Sequence, residues 1–335
     1  MKYRKFSNLG WNVSEVGLGC WQLGWCWGEK LSESTIRKML RKSLDLGVNF
    51  FDTSDVYGDG RSEKFLSKII KESTEKIYVS TKLGRRHRGT NYPRTKYPLG
   101  AYTLKAMEEF IERSLINLGV DKIDLLQLHC PPIDICKDPE TYYTLDTLVK
   151  KGKILHYGVS VYYLSEAYEA IKFPNVKSIQ IQFNILRQKP SEKFFHEAKK
   201  KNVAIIARGP LASGLLGGNI TKETKFPEND HRNYNITGKH HNISETFAGV
   251  NFERGLEAAE ELKKILPANY NMSQLALKWT LSHDQVTVVI PGSLNEFQVE
   301  KNSVISEKEN IDDLMPKIKL IYDKLIKKDN HNLWD

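Results

Sequence analysis

Four cysteines in 335 residues, Cys20, Cys26, Cys130 and Cys136, are too few to hold a chain of this size with disulfides. Their spacing within each pair fits no zinc-ligand pattern, so reduced thiols and no metal are expected. His231, His240 and His241 have no carboxylate or histidine spacing that would change this. No run approaches the roughly 18 apolar residues needed to cross a bilayer. The opening residues Met1 to Phe6 lack the apolar core of a signal peptide, and a cytoplasmic location is expected. There is no Gly-x-Gly-x-x-Gly opening a helix after a strand. Gly17-Leu18-Gly19 stops short of that pattern, which removes a Rossmann domain.

What is present is ordinary in bulk. The chain is 40 % hydrophobic and 27 % charged, as soluble globular proteins are. Its formal charge of +9 is scattered along helical patterns such as Arg37-Lys38, Arg41-Lys42 and Lys199-Lys200-Lys201. Without a basic tract or a zinc-finger or RRM signature, neither nucleic acid nor a membrane is an expected partner.

Eight strand-like segments alternate with helical ones: 16–19, 48–52, 77–82, 125–129, 157–160, 178–182, 203–207 and 286–290. The helical patterns between them are 34–46, 63–70, 104–118, 142–150, 164–171, 191–201 and 272–281. Strands alternating with amphipathic helices make a parallel sheet, and eight such units close into a (β/α)8 barrel. The whole chain, 1–335, reads as one such domain. A short hairpin split by Asn8-Leu9-Gly10 precedes the barrel and is expected to plug its bottom. Helices are also expected over 253–265 and 311–326. The longest irregular stretches, 84–102, 131–138 and 217–250, all follow strand ends, the face on which barrels carry function.

Three strand ends carry chemistry. Asp52 closes the second segment and is followed five residues on by Tyr57; Lys82 closes the third; His129 closes the fourth. A phenol with a pKa near ~10 is a poor acid at neutral pH, and a neighbouring ammonium favours its ionised form. Lys82 supplies that charge, Asp52 pairs with Lys82, and His129 orients a substrate oxygen. Such a set protonates or deprotonates an oxygen, which suits carbonyl–alcohol interconversion.

The same stretches resemble the aldo-keto reductases. Gly17 to Trp21 is similar to that family's opening strand, Asp52 to Gly58 to its Asp–Tyr signature, and Leu115 to His129 to its most specific run. Gly158-Val159-Ser160, Gln180 to Asn184, Gly209 to Gly214 and Ile290 to Ser293 follow in family order. The resemblance implies reduction of an aldehyde or ketone, such as a sugar or an anionic carbonyl compound, with Tyr57 as general acid. It implies NADPH as cofactor, NADH being the other choice. By the same matching Gly19, Cys20 and Trp21 line the cofactor, and Ser160 and Gln180 hold its carboxamide. Arg208, Gly209, Pro210, Leu211, Ser213 and Gly214 take the nicotinamide and pyrophosphate. Gly292, Ser293, Gln298, Lys301 and Asn302 take the adenosine end.

Three positions depart from the family pattern. Val161 stands where Asn is common, Arg208 where a tyrosine often stacks, and Gly292, Leu294 and Gln298 where cations meet a 2′-phosphate. Lys301 is the nearby substitute. On the substrate side, Trp21 and Trp25 read as apolar walls of the pocket or as core packing. Arg85, Arg86 and Arg88 read as contacts to an anionic substrate or to the cofactor phosphates, a solvated basic loop being the other reading. The polar insertion 217–250 has the composition of a lid over bound cofactor with few buried contacts, a disordered surface loop being the other reading. A channel-subunit-like regulatory barrel that binds cofactor with little turnover is the alternative function, and a barrel isomerase that binds no dinucleotide is a third.

Overall fold

The computed structural model describes residues 1–25, 28, 30–85 and 99–335. Cys26, Arg86, Arg88 and most of the stretch 84–102 therefore lie outside the described residues.

Two short strands, β1 (Tyr3–Phe6) and β2 (Trp11–Ser14), pair antiparallel in the register Tyr3 to Ser14. Eight further strands follow among the described residues: β3 (Leu18–Gly19), β4 (Phe50–Asp52), β5 (Tyr78–Leu83), β6 (Ile123–His129), β7 (Ile154–Ser160), β8 (Val176–Gln182), β9 (Ala204–Arg208) and β10 (Val286–Val289). They lie side by side in chain order, each parallel to the next. The sheet then closes on itself: Gly17 N–H donates to Val289 O at 2.9 Å and Gly19 N–H to Pro291 O at 3.0 Å. The outcome is the (β/α)8 barrel expected from the alternation.

The helices form where periodicity places them, with capping setting their ends. Ser32 accepts from Thr35 N–H to start Glu33–Asp45, and Thr103 accepts from Ala106 N–H to start Leu104–Leu118. Gly119, in left-handed backbone at φ +65°, ends that helix. Asp138 caps Pro139–Lys150, so this helix begins before the expected Tyr142. Three expectations need correction. The stretch 131–138 is not irregular, because Ile133–Lys137 coils into one short helix. The pattern over 191–201 yields only Phe194–Lys200, behind a tight turn at Lys189–Ser191 that contains Pro190. The C-terminal pattern from Ile311 starts its helix at Met315, with Pro316 in the first turn.

The hairpin does plug the barrel bottom. Phe6 and Val13 are fully buried with Phe50, Leu125, Ala204, Ile206, Val288 and Ile290, the inward side chains of four strands and their ends. The Phe6 and Phe50 rings stack at 5.7 Å. Among the described residues no helix is long and apolar enough to cross a membrane.

Truncating a large buried aromatic costs about 3–5 kcal/mol. Phe6→Ala is expected to lower the unfolding free energy by that order, read as a lower urea midpoint with the m-value unchanged. An unchanged midpoint would mean that the hairpin adds nothing to the barrel.

Candidate active site

Parallel register puts the functional side chains at one end. Asp52 is the last residue of β4, Lys82 the penultimate of β5, His129 the last of β6, Ser160 the last of β7 and Arg208 the last of β9. Parallel strands end at a common mouth, so residues up to 128 positions apart become neighbours.

Lys82 is at the centre. Its ammonium, 1 % exposed, donates to Asp52 Oδ2 at 2.6 Å, to Thr53 O at 2.7 Å and to Tyr57 OH at 3.5 Å. Those three contacts match the three protons an ammonium carries. Asp52 Oδ1 accepts from Gln180 Nε2 at 2.7 Å and from Gln127 Nε2 at 3.4 Å. Ser160 Oγ donates to Gln180 Oε1 at 3.0 Å. Buried charge is thus paired and hydrogen-bonded on both sides, which is what burial demands.

Tyr57 is aimed by a close backbone approach. Gly58, at φ +61°, packs on Gly24, where a Cβ on Gly58 would collide with the Gly24 carbonyl. A Cβ on Gly24 would in turn strike the Tyr57 carbonyl carbon at 2.5 Å. The Tyr57 ring meets His129 edge-on at 6.1 Å. His129 is fixed through Nδ1, 3.1 Å from Ser54 Oγ, and Ser54 donates to Asp55 Oδ1 at 3.0 Å. A hydroxyl has one proton, so Ser54 accepts from His129 Nδ1–H, which makes Nε2 the acceptor nitrogen of the ring.

The expected cofactor residues divide. Left-handed backbone at Gly209, Ala212, Ser213 and Gly214 curls 209–214 into a concave turn of the kind that gathers N–H groups around anions. Ser213 Oγ is already engaged, donating to Glu245 O and accepting from Phe247 N–H at 3.0 Å. Cys20 has a framework role: its N–H, carbonyl and thiol all bond within the fold. Burial, reinforced by Asp52, pushes its thiol well above the ordinary value. Asn302 donates to Ser293 Oγ at 3.3 Å, Gln298 accepts from Leu294 N–H, and Lys301 is exposed one turn further along Glu296–Ser303. Pro210 and Leu211 lie in the same turn as Gly209. Gln22, which no sequence motif marks, lies against Gly292 with its Oε1 buried and unpartnered among the described residues. Its place after β3 is the one sequence signal that points to it. The concave turn and this orphaned acceptor fit a dinucleotide lying across the mouth.

On the substrate side, Trp21 is half-buried with its ring edge-on to His231 at 5.8 Å. Trp25 is 44 % exposed beneath Lys30 rather than walled into a pocket. Arg85 does not stand open to an anion, for it pairs with Glu245 at 3.4 Å. Glu245 also accepts from Tyr162 OH at 2.6 Å and lies 4.0 Å from Arg208. Burial raises the Glu245 carboxyl, but Arg208 and Arg85 outweigh it and hold it below its usual range. Arg208 spends a second N–H on Val161 O at 3.0 Å. Among the described residues, no group of His, Cys, Asp and Glu is arranged to hold a metal.

Glu245 belongs to the insertion, which is a packed strap rather than a loosely held lid. It carries a short helix, His231–Tyr234, and buries Asp230, His231, Asn235, Ser244 and Thr246. Asn229 ties it to Gly28 beyond β3, Glu245 to Arg85 beyond β5, and Asn242 to Tyr163 beyond β7. Its polar composition suggests few buried contacts, yet those polar groups pair with one another and with the rim.

A model of the aldo/keto reductase family matches residues 15–322. Two Bacillus subtilis proteins are similar over most of both chains. The uncharacterized oxidoreductase YqkF is 29 % identical over 90 % of this chain and 90 % of its own. The aldo-keto reductase YhdN is 28 % identical over 91 % and 89 %. The aldo-keto reductase yakc [NADP(+)] of Schizosaccharomyces pombe is 28 % identical over 87 % and 83 %. A rice protein named as a probable voltage-gated potassium channel subunit beta is 26 % identical over 90 % of each chain. Among solved structures, the holo form of aldo-keto reductase AKR11C1 from Bacillus halodurans gives a TM-score of 0.75 at 28 % identity, over 99 % of this chain and 98 % of that one. The glycerol dehydrogenase AKR11B4 from Gluconobacter oxydans gives 0.78 at 26 % identity, over 97 % and 96 %.

The strap has a pH signature. Burial pushes His231 down to about 4, against the pull of Asp230 and Glu245, and its Nδ1 pairs with Thr246 Oγ1 at 3.0 Å. The unfolded chain takes up this proton near ~6.5, so between the two values the unfolded state binds more protons. Stability is therefore expected to fall as pH drops from about 6.5 to about 4. Hydrogen exchange of residues 230–246 over that window checks it, with His231→Asn expected to flatten the response.

Proposed function

The chain belongs to the aldo/keto reductase family, and on that footing we propose that it reduces an aldehyde or ketone to an alcohol with a nicotinamide dinucleotide, Tyr57 being the acid. The observation that carries this is the buried Lys82 ammonium, held between the Asp52 carboxylate and the Tyr57 hydroxyl. The bound dinucleotide supplies the hydride. The chain's own part is the proton and the geometry.

As negative charge gathers on the carbonyl oxygen, Tyr57 gives up its hydroxyl proton. The phenolate left behind sits beside Lys82, whose charge stabilises it more strongly in this buried setting than water would allow. Asp52 keeps Lys82 in place; its other oxygen is fastened by Gln180 and Gln127, so it cannot turn toward Tyr57. His129 Nε2, the acceptor of its ring, takes a hydrogen bond from the alcohol hydroxyl as it forms and orients that oxygen. Ser160 and Gln180 hold the carboxamide, the 209–214 turn and Arg208 the pyrophosphate, and Gln22, Gly292, Ser293, Gln298, Lys301 and Asn302 the adenosine end. Gly19 and Trp21 form the floor beside them.

Glu245 already balances Arg85, which favours an uncharged substrate over an anionic one. A small polyhydroxy carbonyl such as glyceraldehyde fits that reading, and the likeness to a glycerol dehydrogenase agrees with it. NADPH is favoured over NADH because Lys301 stands exposed on the helix after β10, and the fission-yeast relative is named for NADP(+). A cytoplasmic location belongs to the same proposal.

Titration with NADPH and NADH, followed by nucleotide fluorescence, is expected to show tighter binding of NADPH, with the preference narrowing in Lys301→Gln. Binding of neither would sink the proposal. Tyr57→Phe is expected to lower kcat for glyceraldehyde by about 10²–10⁴ with NADPH affinity unchanged. Wild-type turnover in that variant would remove Tyr57 as the acid. Binding without turnover of any carbonyl compound would favour a regulatory barrel instead.

A further inference from the structure

Arg187 is a fully buried arginine with no carboxylate among its hydrogen-bond partners. Its Nη1 donates to Gln182 Oε1 at 2.7 Å, its Nη2 to Tyr162 O, and its Nε is unpartnered among the described residues. What covers the cation is an aromatic face: the guanidinium carbon lies 3.8 Å from the centre of the Trp334 ring, itself 1 % exposed. A guanidinium stripped of water gains most from such a face.

Trp334 is held there by the segment Lys327–Asp335. Asn330 donates to Gly249 O at 2.8 Å, His331 pairs with Tyr322 OH at 2.8 Å, and Lys189 reaches Asp335 at 2.5 Å. Gly249 is in left-handed backbone at φ +75°, and a Cβ there would collide with the Trp334 ring. The strap's end is therefore seated directly on the tryptophan.

Arg187 reaches the cofactor side by three routes. Gln182, its Nη1 partner, packs beneath Gly209, whose Cβ position is 2.9 Å from Gln182 Nε2. Asn184, bridged to Arg187 through the backbone at 2.8 Å, donates to Gly209 O at 2.8 Å. Tyr162, the Nη2 partner, holds Glu245 of the strap. The strap returns to the turn where Phe247 N–H meets Ser213 Oγ.

We propose that Trp334, acting through Arg187, is a positioning residue for dinucleotide binding: the ring holds the guanidinium, the guanidinium holds Gln182 and Tyr162, and these hold the 209–214 turn and the strap. It lies outside the reacting groups and sets how long the dinucleotide stays. The inference rests on the reductase reading above.

Three variants test it. Trp334→Leu keeps apolar bulk and removes the ring face, Trp334→Phe keeps a ring, and Asn330→Ala cuts the tie to Gly249. NADPH affinity and release rate are read by nucleotide fluorescence and stopped flow, alongside kcat at saturating NADPH. Trp334→Leu is expected to bind NADPH about tenfold more weakly and release it correspondingly faster, as loss of a buried cation–π contact would give. Its kcat at saturation stays within about twofold of wild type, the mark of lost binding rather than lost chemistry. Trp334→Phe stays close to wild type, and Asn330→Ala shows a smaller loss in the same direction. Wild-type affinity and release in Trp334→Leu would overturn the inference, as would equal losses in the Leu and Phe variants. Should Trp334→Leu fail to fold, wild-type release in Asn330→Ala overturns it. A wild-type protein that binds neither dinucleotide fails the reductase reading itself, a result distinct from these.

Discussion

The ion pair between Lys82 and Asp52 constrains everything around it. Two charges removed from water cost several kcal/mol each unless their remaining protons and lone pairs are met. Here every obligation of the ammonium is met: a carboxylate, a backbone carbonyl and a phenol. The carboxylate is met by two amides from β6 and β8. That requirement explains why strands distant in the chain carry glutamines pointing inward, and why Tyr57 is clamped by a contact between two glycines. The third proton of the ammonium faces the Tyr57 hydroxyl.

The strap answers a different need. A barrel mouth is open to water, and charge built up there is screened. Glu245 draws Arg85, Arg208 and Tyr162 together over the rim, and His231 packs beneath it against Trp21. The basic flank of the mouth is in this way partly neutralised by the chain itself. Arg187 and Trp334 form the foundation under the same strap, with Gly249 seated on the Trp334 ring.

Much of this is legible in the amino-acid sequence. The eight units, the hairpin plug, and the strand-end placement of Asp52, Lys82 and His129 follow from alternating periodicity, because a parallel barrel leaves little choice about where strand ends point. The glycine-rich stretch 209–214 stands out in the sequence through its resemblance to a family. Glu245, His231, Gln22, Arg187 and Trp334 are not. They sit in no periodic pattern, and their partners lie far along the chain: Arg85 is 160 positions from Glu245, and Gly292 meets Gln22 from the opposite end of the barrel sequence. Arg85 shows the limit plainly: in the sequence it is one of a basic cluster without a nearby acid, whereas in the fold an acid from the strap meets it.

Short-range physics controls the strand and helix periods, the capping at Ser32, Thr103 and Asp138, the lack of a membrane-length apolar run, and the order of chemistry-bearing strand ends. All of these are written in neighbouring residues, so the sequence carries them unaided. Which charges are spent and which remain is settled by tertiary packing. Pairing between Glu245 and Arg85, or between the Trp334 ring and Arg187, depends on which surfaces meet after closure. The energy of a charge is set by whatever surrounds it in three dimensions rather than by its neighbours along the chain.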